Sequence, residues 1–481
     1  MSTLTIAWIA FPFFMGFLIY LIPKLDRYLA LGVALASIAY ALLVFSLSSP
    51  LSLNLLDHFG VTLLVDSLTG YFILTNALVT AAVLLYCWNS GKTPFFYAQT
   101  IILHGSVNAA FACTDFISLY VALEVLSIAA FLLIAYPRTD RSIWVALRYL
   151  FVSNIAMLFY LIGAVLVYQA SHSFGFAGLR VAPPEALALI FLGLLVKGGV
   201  FVSGLWLPLT HSESETPVSA MLSGVVVKAG VLPMVRCALF IEEVDPIVRF
   251  LGVATALLGV FYAVFEKDTK RMLAFHTVSQ LGFILAAPEV GGFYALTHGL
   301  VKSALFLIAG ALPSRNLKDL QYKPINTAIW IALAIASFSI SGFPLLSGFG
   351  AKVLTMKNLA PWQVIAMNIA ALGTAISFAK LIFLPQNRHE PANIRPGFWP
   401  AVILLIGGLF LANVIYYEAY TLANIAKPLA TIALGWLAYF FIFRRSVLKL
   451  PRLFEQFEHL VGVMSLMLIL LFWMGVAWLG I

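Results

Sequence analysis

Lys197 and Lys228 stand in the middle of two apolar stretches, FLGLLVKGGVFVSGLWLPL and SAMLSGVVVKAGVLPMVR. Glu124 is the one acid deep inside FISLYVALEVLSIAAFLLIAY, and Lys352 closes the glycine-rich run ISGFPLLSGFGAK. His298 and Lys302 lie four apart in YALTHGLVKSALFLIAG and so share one helical face. Ammonium, carboxyl and imidazole groups spaced through oil can pass protons. A lysine at mid-membrane costs about 2.5–3.5 kcal/mol on insertion scales, so one kept there points to function. A lone carboxyl in hydrocarbon is protonated or paired, and Lys197 is the natural partner of Glu124. Such a pair is bistable. Lys197 keeps its proton while an ionised Glu124 is close and gives it up when that partner is neutralised or drawn away. Histidine relays protons near neutral pH, which makes His298 a candidate beside Lys302.

These groups need elements that hold them. Gly198 and Gly199 follow Lys197, and Gly230 and Pro233 follow Lys228. Glycine and proline loosen a helix and free backbone groups, which hydrocarbon tolerates only where they face protein or water. The chain has 481 residues, 62% hydrophobic and 10% charged, against about 25% charged in globular domains. Apolar runs of roughly 20 residues recur from end to end, the mark of an all-α polytopic membrane protein. The first run, 4–21, lacks a basic leader and a small-residue cleavage site, so it reads as a retained helix. The net charge of +8 fits basic cytoplasmic loops better than a nucleic-acid partner. Cys87, Cys113 and Cys237 are too scattered for a disulfide framework, a zinc site or an iron–sulfur cluster, and no glycine-rich nucleotide loop is present. No cofactor and no metal are expected.

Sixteen helices are expected, near residues 3–23, 28–48, 66–88, 97–113, 115–136, 144–169, 186–206, 216–237, 246–265, 271–287, 291–313, 327–356, 362–384, 397–417, 428–443 and 459–480. Lysine and arginine in the connections sort 17 to one side, Lys270, Arg271 and Lys449 among them. Five fall on the other: Arg180, Arg236, Arg249, Lys357 and Lys427. That asymmetry puts both termini on the non-cytoplasmic side. Six cations remain inside apolar segments and form two series. Arg148 to Lys302 is 154 residues, Lys197 to Lys352 is 155, and Lys228 to Lys380 is 152. This predicts two inverted five-helix repeats, 97–240 and 241–385, with helices 7 and 12 of the count broken at Lys197 and Lys352. Residues 1–96 supply three leading helices and 386–481 the C-terminal ones.

Other polar residues have plainer expectations. Arg148 reads as structural near a helix start, and Lys380 as either a snorkelling or a buried cation. His276, in KRMLAFHTVSQLGFIL, could tie a bend or serve a proton path. His211, Glu213 and Glu215 have the composition of a metal cluster, but cap and loop roles in a bend suit them better. Asp66 opens the third helix, where an acid favours the N-terminus.

These segments resemble the antiporter-like membrane subunits shared by Mrp-type cation/proton antiporters, respiratory complex I and membrane-bound hydrogenases. The resemblance spans roughly 60–385. Its carriers are DFISLYVALEVL, LVKGGVFVSGLWLP, THSESETPVSAMLSGVVVKAG, KRMLAFHTVSQLGF, THGLVKSALF and ISGFPLLSGFGAK. It implies about 14 helices, two inverted repeats, broken helices 7 and 12, and a polar axis at mid-membrane. The family's charged residues match Glu124, Lys197, Lys228, His298, Lys302 and Lys352. AFHTVSQLGF and the lysine at 352 are similar to the Mrp type, and to its D subunit in particular. Val202, Gly204 and Leu209 depart from the family pattern after the helix-7 lysine.

The resemblance implies a proton-translocating subunit of a multi-subunit sodium/proton antiporter, not an enzyme, in the cell inner (plasma) membrane. Its partners would be other membrane subunits, protons, sodium and the lipid bilayer. The alternative is a pumping subunit of a complex I-like or hydrogenase-like oxidoreductase, whose redox centres lie in other chains. A scaffold with an inactive axis is a third reading.

Overall fold

The computed structural model describes every residue except 57, 58, 393, 446, 447, 449, 480 and 481. Lys449, counted in the loop charge, and the expected end of the last helix at 480 therefore lie outside the described residues. The chain is mostly helical. In order the helices are α1 Ser2–Leu21, α2 Asp26–Phe45, α3 Ser67–Cys87, α4 Pro94–Ala112, α5 Phe116–Ile134, α6 Asp140–Ser171, α7 Pro184–Gly198, α8 Leu207–Glu213, α9 Thr216–Met221 and α10 Lys228–Phe240. Then follow α11 Asp245–Phe265, α12 Thr269–Ala286, α13 Gly291–Ala309, α14 Leu317–Leu320, α15 Thr327–Ser341, α16 Ser347–Lys357, α17 Val364–Ile382, α18 Phe398–Asn413, α19 Leu422–Ala438 and α20 Phe457–Leu479.

Short polar residues set many of these starts, because the first amides of a helix lack internal acceptors. Asp66 accepts from the Thr69 amide at 2.9 Å and Asp115 from the Ser118 amide at 2.7 Å. Thr139 and Ser142 form a reciprocal capping box for α6. Proline stands at the first position of α4 and α7, where its missing N–H costs nothing.

Among the described residues thirteen helical segments are long and apolar enough to cross a membrane. The segments expected near 97–113, 271–287 and 327–356 are helical too, as α4, α12 and the α15–α16 pair. The chain is a multi-pass membrane protein. Two small strand pairs were not expected. β1 Leu51–Asn54 and β2 Thr62–Val65 form an antiparallel hairpin between α2 and α3, and β3 Ile325–Asn326 lies parallel to β4 Gln386–Asn387.

Burial sorts the helices. The 18-residue cores of the segments Thr216–Phe240 and Pro288–Ala309 are wholly buried, whereas α19 turns most of its surface outward. The enclosed helices carry lysine, histidine and glycine, which hydrocarbon does not solvate. The outer ones carry leucine and phenylalanine. Glycine also lets helices meet closely. A Cβ on Gly230 would run into the Gly198 amide, so α10 and α7 touch backbone to backbone beside both lysines.

Two helices are broken at the expected places. α7 ends on Gly199 (φ +64°) and α15 on Gly342 (φ +87°), left-handed turns that glycine adopts without strain. A 3₁₀ turn, Phe201–Trp206, and then α8 carry the first to Glu213; α16 continues the second. The bend expected around His211 is thus a further turn of helix. Lys270 and Arg271, counted as loop residues, lie buried in the first turn of α12. Arg236 and Arg249 likewise lie within α10 and α11.

Candidate functional site

Glu124 and Lys197 are brought together by α5 and α7. The Lys197 Nζ lies 3.6 Å from Glu124 Oε1, an ion-pair distance too long for a hydrogen bond. The same ammonium donates to the Ser127 hydroxyl and, at 3.3 Å, to the Leu123 carbonyl. Ser127 in turn lies 3.2 Å from the Ser153 hydroxyl on α6. The break in α7 frees carbonyls at its end, and the Trp206 indole donates to that of Val196 at 2.8 Å. A void of about 10 Å³ between α5, α6 and α7 borders Lys197, about the size of one water.

Lys228, His298 and Lys302 gather where the turn that leads into α10 packs on α13. A π-turn, Leu222–Val226, precedes Lys228 and redirects the helix. The Lys228 ammonium donates to the Gly224 carbonyl of that turn. A Cβ on Gly299, next to His298, would sit only 3.6 Å from it. Lys302 donates to the Leu273 carbonyl of α12 and lies 5.4 Å from the Phe306 ring centroid. Neither ring nitrogen of His298 has a hydrogen-bond partner.

Lys352 stands further along, on α16. Its stem packs against the second break: a Cβ on Gly342 would lie 2.9 Å from Lys352 Cδ. Its ammonium lies 5.6 Å from the Phe283 ring centroid and has no hydrogen-bond partner. The two lysines therefore reach their helix breaks from opposite sides, Lys197 from the residues before and Lys352 from the residues after. Among the described residues no direct hydrogen bond links Lys197 to Lys228, or either one to Lys352.

The buried histidines divide into two kinds. His104 on α4 is held at both nitrogens, by Ser37 at 2.8 Å and Thr80 at 3.1 Å. His211, His276 and His298 are buried with neither nitrogen bonded, an arrangement rare for structural histidines. His276 packs tilted against Phe378, at 4.7 Å between ring centroids.

His211, expected in a cap or loop role in a bend, is instead fully buried within α8. It faces Trp206 and Phe306 inside the molecule. Glu213 and Glu215 point elsewhere, to Arg141 and Arg315 and to Lys92. Among the described residues no cluster of histidine, cysteine and acids is set to hold a metal.

Lys380 and Arg148 do different work. Lys380 donates to the carbonyls of Ala263 at 3.2 Å, Val264 at 2.5 Å and Glu266 at 3.1 Å. It thus caps the C-terminus of α11, where a cation complements the helix dipole. Arg148 donates to the Glu455 carbonyl in the turn before α20.

Two acids at helix ends are held by arginine. Arg236 grips Asp66 through both oxygens, at 2.5 and 2.6 Å. Burial would raise that carboxyl, but Arg236 and the Thr69 amide hold it below its ordinary range. Glu266 behaves alike. Burial opposes its charge, yet Arg271 and the amides of Asp268 and Lys267 hold the carboxyl low. Arg271 also binds Glu455, at 2.5 and 2.8 Å.

Residues 113–377 match the family described as NADH:quinone oxidoreductase/Mrp antiporter, TM. The chain is 32% identical to the N subunit of the NADH-quinone oxidoreductase of Desulforudis audaxviator, over 70% of this chain and 74% of that one. It is 27% identical to the D subunit of the Na(+)/H(+) antiporter of Alkalihalophilus pseudofirmus, over 88% of this chain and 97% of that one. In fold it is similar to a chain of the Mrp complex from Dietzia sp. DQ12-45-1b, with a TM-score of 0.71 and 20% identity, covering 96% of this chain and 100% of that one.

Proposed function

Because this chain belongs to the NADH:quinone oxidoreductase/Mrp antiporter transmembrane family, we propose that it is the proton-translocating subunit of a multi-subunit cation/proton antiporter. Sodium is the cation, exchanged together with partner membrane subunits in the cell membrane. Protons step among Glu124, Lys197, Lys228, His298, Lys302 and Lys352. Similarity to the D subunit of an antiporter along 97% of that protein supports the antiporter over its relatives.

The observation that carries the reading is the Glu124–Lys197 pair beside the broken end of α7. A carboxylate at 3.6 Å favours the charged lysine. Protonating or moving the carboxylate removes that attraction, and the lysine passes its proton inward. Residues 97–240 and 241–385 would do this as inverted halves, each with one broken helix, flanked by 1–96 and 386–481. Both termini then lie on the non-cytoplasmic side.

The test is sodium/proton exchange in inverted vesicles carrying the whole complex. Lys197→Ala is expected to slow exchange driven by a proton gradient about a hundredfold; undiminished exchange defeats the reading. The 32% identity to a quinone oxidoreductase subunit favours a second reading, a pumping subunit of a redox complex. Co-purification separates the two: iron–sulfur proteins with the chain support the second, small membrane subunits alone the first.

A further inference from the structure

Between α16, α17 and α19 lies a cavity of about 200 Å³ whose charged lining is wholly cationic. Lys352, Lys357 and Lys427 all reach it, beside Asn368, Asn424 and Thr431, and no acid stands among its lining residues. None of the three lysines is ion-paired among the described residues. Lys352 is 5% exposed and its ammonium has no hydrogen-bond partner. Lys357 has only the Tyr416 hydroxyl, at 3.4 Å. Three like charges around one small volume repel one another, and at a membrane boundary that repulsion is poorly screened.

The surroundings are apolar. Val364 lines the cavity, and Ile365, Leu434 and Leu437 of the adjoining helices turn outward, Ile365 at 76% exposure. An occupant must therefore be anionic at one end and apolar at the other.

We propose that this cavity seats the headgroup of an anionic phospholipid. Its phosphodiester oxygens accept from Lys357 and Lys427 and lie toward Lys352, while the acyl chains run along the outer faces of α17 and α19. Ammonium groups hold phosphate oxygens by charge-assisted hydrogen bonds. The phosphate also favours the charged form of Lys352. That last consequence rests on the function proposed above; the binding does not.

The test uses the full chain, purified in zwitterionic detergent, with phosphatidylglycerol, phosphatidylcholine or inorganic phosphate added. Native mass spectrometry and thermal unfolding are the readouts. Phosphatidylglycerol alone is expected to be retained and to raise the unfolding midpoint. Lys357→Gln with Lys427→Gln is expected to cut retention at least threefold, and the exposed single change Lys427→Gln to cut it in part with the fold intact. Equal retention by wild type and variants overturns the proposal. An equal midpoint shift with inorganic phosphate and no lipid overturns the lipid in favour of a soluble anion. Neither residue belongs to the proton row, so exchange lost in Lys197→Ala and lipid lost in Lys427→Gln are separate outcomes.

Discussion

The Lys197 ammonium lies 3.6 Å from a Glu124 carboxylate oxygen, with the acid side chain 26% exposed and the lysine 3%. One partner of the pair is open to its surroundings and the other is sealed. In the proton route proposed above, the acid is the partner that takes up the proton first.

Two substitutions test that order. Glu124→Gln removes the open partner, and Lys197→Ala the sealed one. Each is expected to slow exchange on the order of a hundredfold, the loss typical of a positioned proton-transfer group. Ser127→Ala removes only a hydrogen bond to Lys197 and should cost much less. Vesicle exchange rates decide; a Ser127→Ala loss as large as that of Lys197→Ala would show that the hydroxyl, not the acid, governs the lysine.

Lys352 and Lys380 should separate transport from stability. Lys380→Met leaves three carbonyls at the end of α11 without their donor and should cost about 1–3 kcal/mol of stability. Lys352→Met removes an ammonium with no hydrogen-bond partner. It should stop exchange while leaving the unfolding midpoint unchanged or raised. Thermal unfolding in detergent beside vesicle exchange reads both.

Gly230→Ala should be destabilising, by about 1–3 kcal/mol, because its Cβ meets the Gly198 backbone and α7 must move. Gly32→Ala is the control. A Cβ there meets nothing within 4 Å, so alanine should stabilise α2 by about 0.5–1 kcal/mol. If both changes behave alike in yield and midpoint, the close crossing of α7 and α10 is wrong.

Glu266 gives a pH signature. Its folded carboxyl is held below the ordinary range, against burial, chiefly by Arg271. The ionised form then stabilises the fold at neutral pH, and that contribution is lost as pH falls through the depressed value, below the ordinary glutamate value of about 4.3. Wild type should exceed Glu266→Gln in midpoint at pH 7, and the gap should close below about pH 4. A gap that widens on acidification reverses the sign of the argument.

The polar residues in apolar runs were legible because each is costly where it stands. Lys197, Lys228, Lys302 and Lys352 announced themselves by cost, and Gly199 and Gly342 marked the two breaks. What was not legible depends on partners far along the chain. Asp66 and Arg236 are 170 residues apart, and each alone looks like an ordinary charge at a helix end. His211 was obscured by Ser212, Glu213 and Ser214, which read as a solvated bend although the chain continues there as helix α8. The hairpin β1–β2 was hidden because TLLV is as apolar as the helices around it. Lys380 could not be sorted from its neighbours in sequence, since three carbonyls at the end of α11 are what fix it.

The last helix, α20, lies along the outer side of α7, with Gly475 against Pro184 and Leu187. Its leading turn is tethered to α12 through Glu455 and Arg271. Any movement at the break that ends α7 must therefore drag this outrigger or slide beneath it. A neighbouring chain approaching that flank would meet α20 before α7.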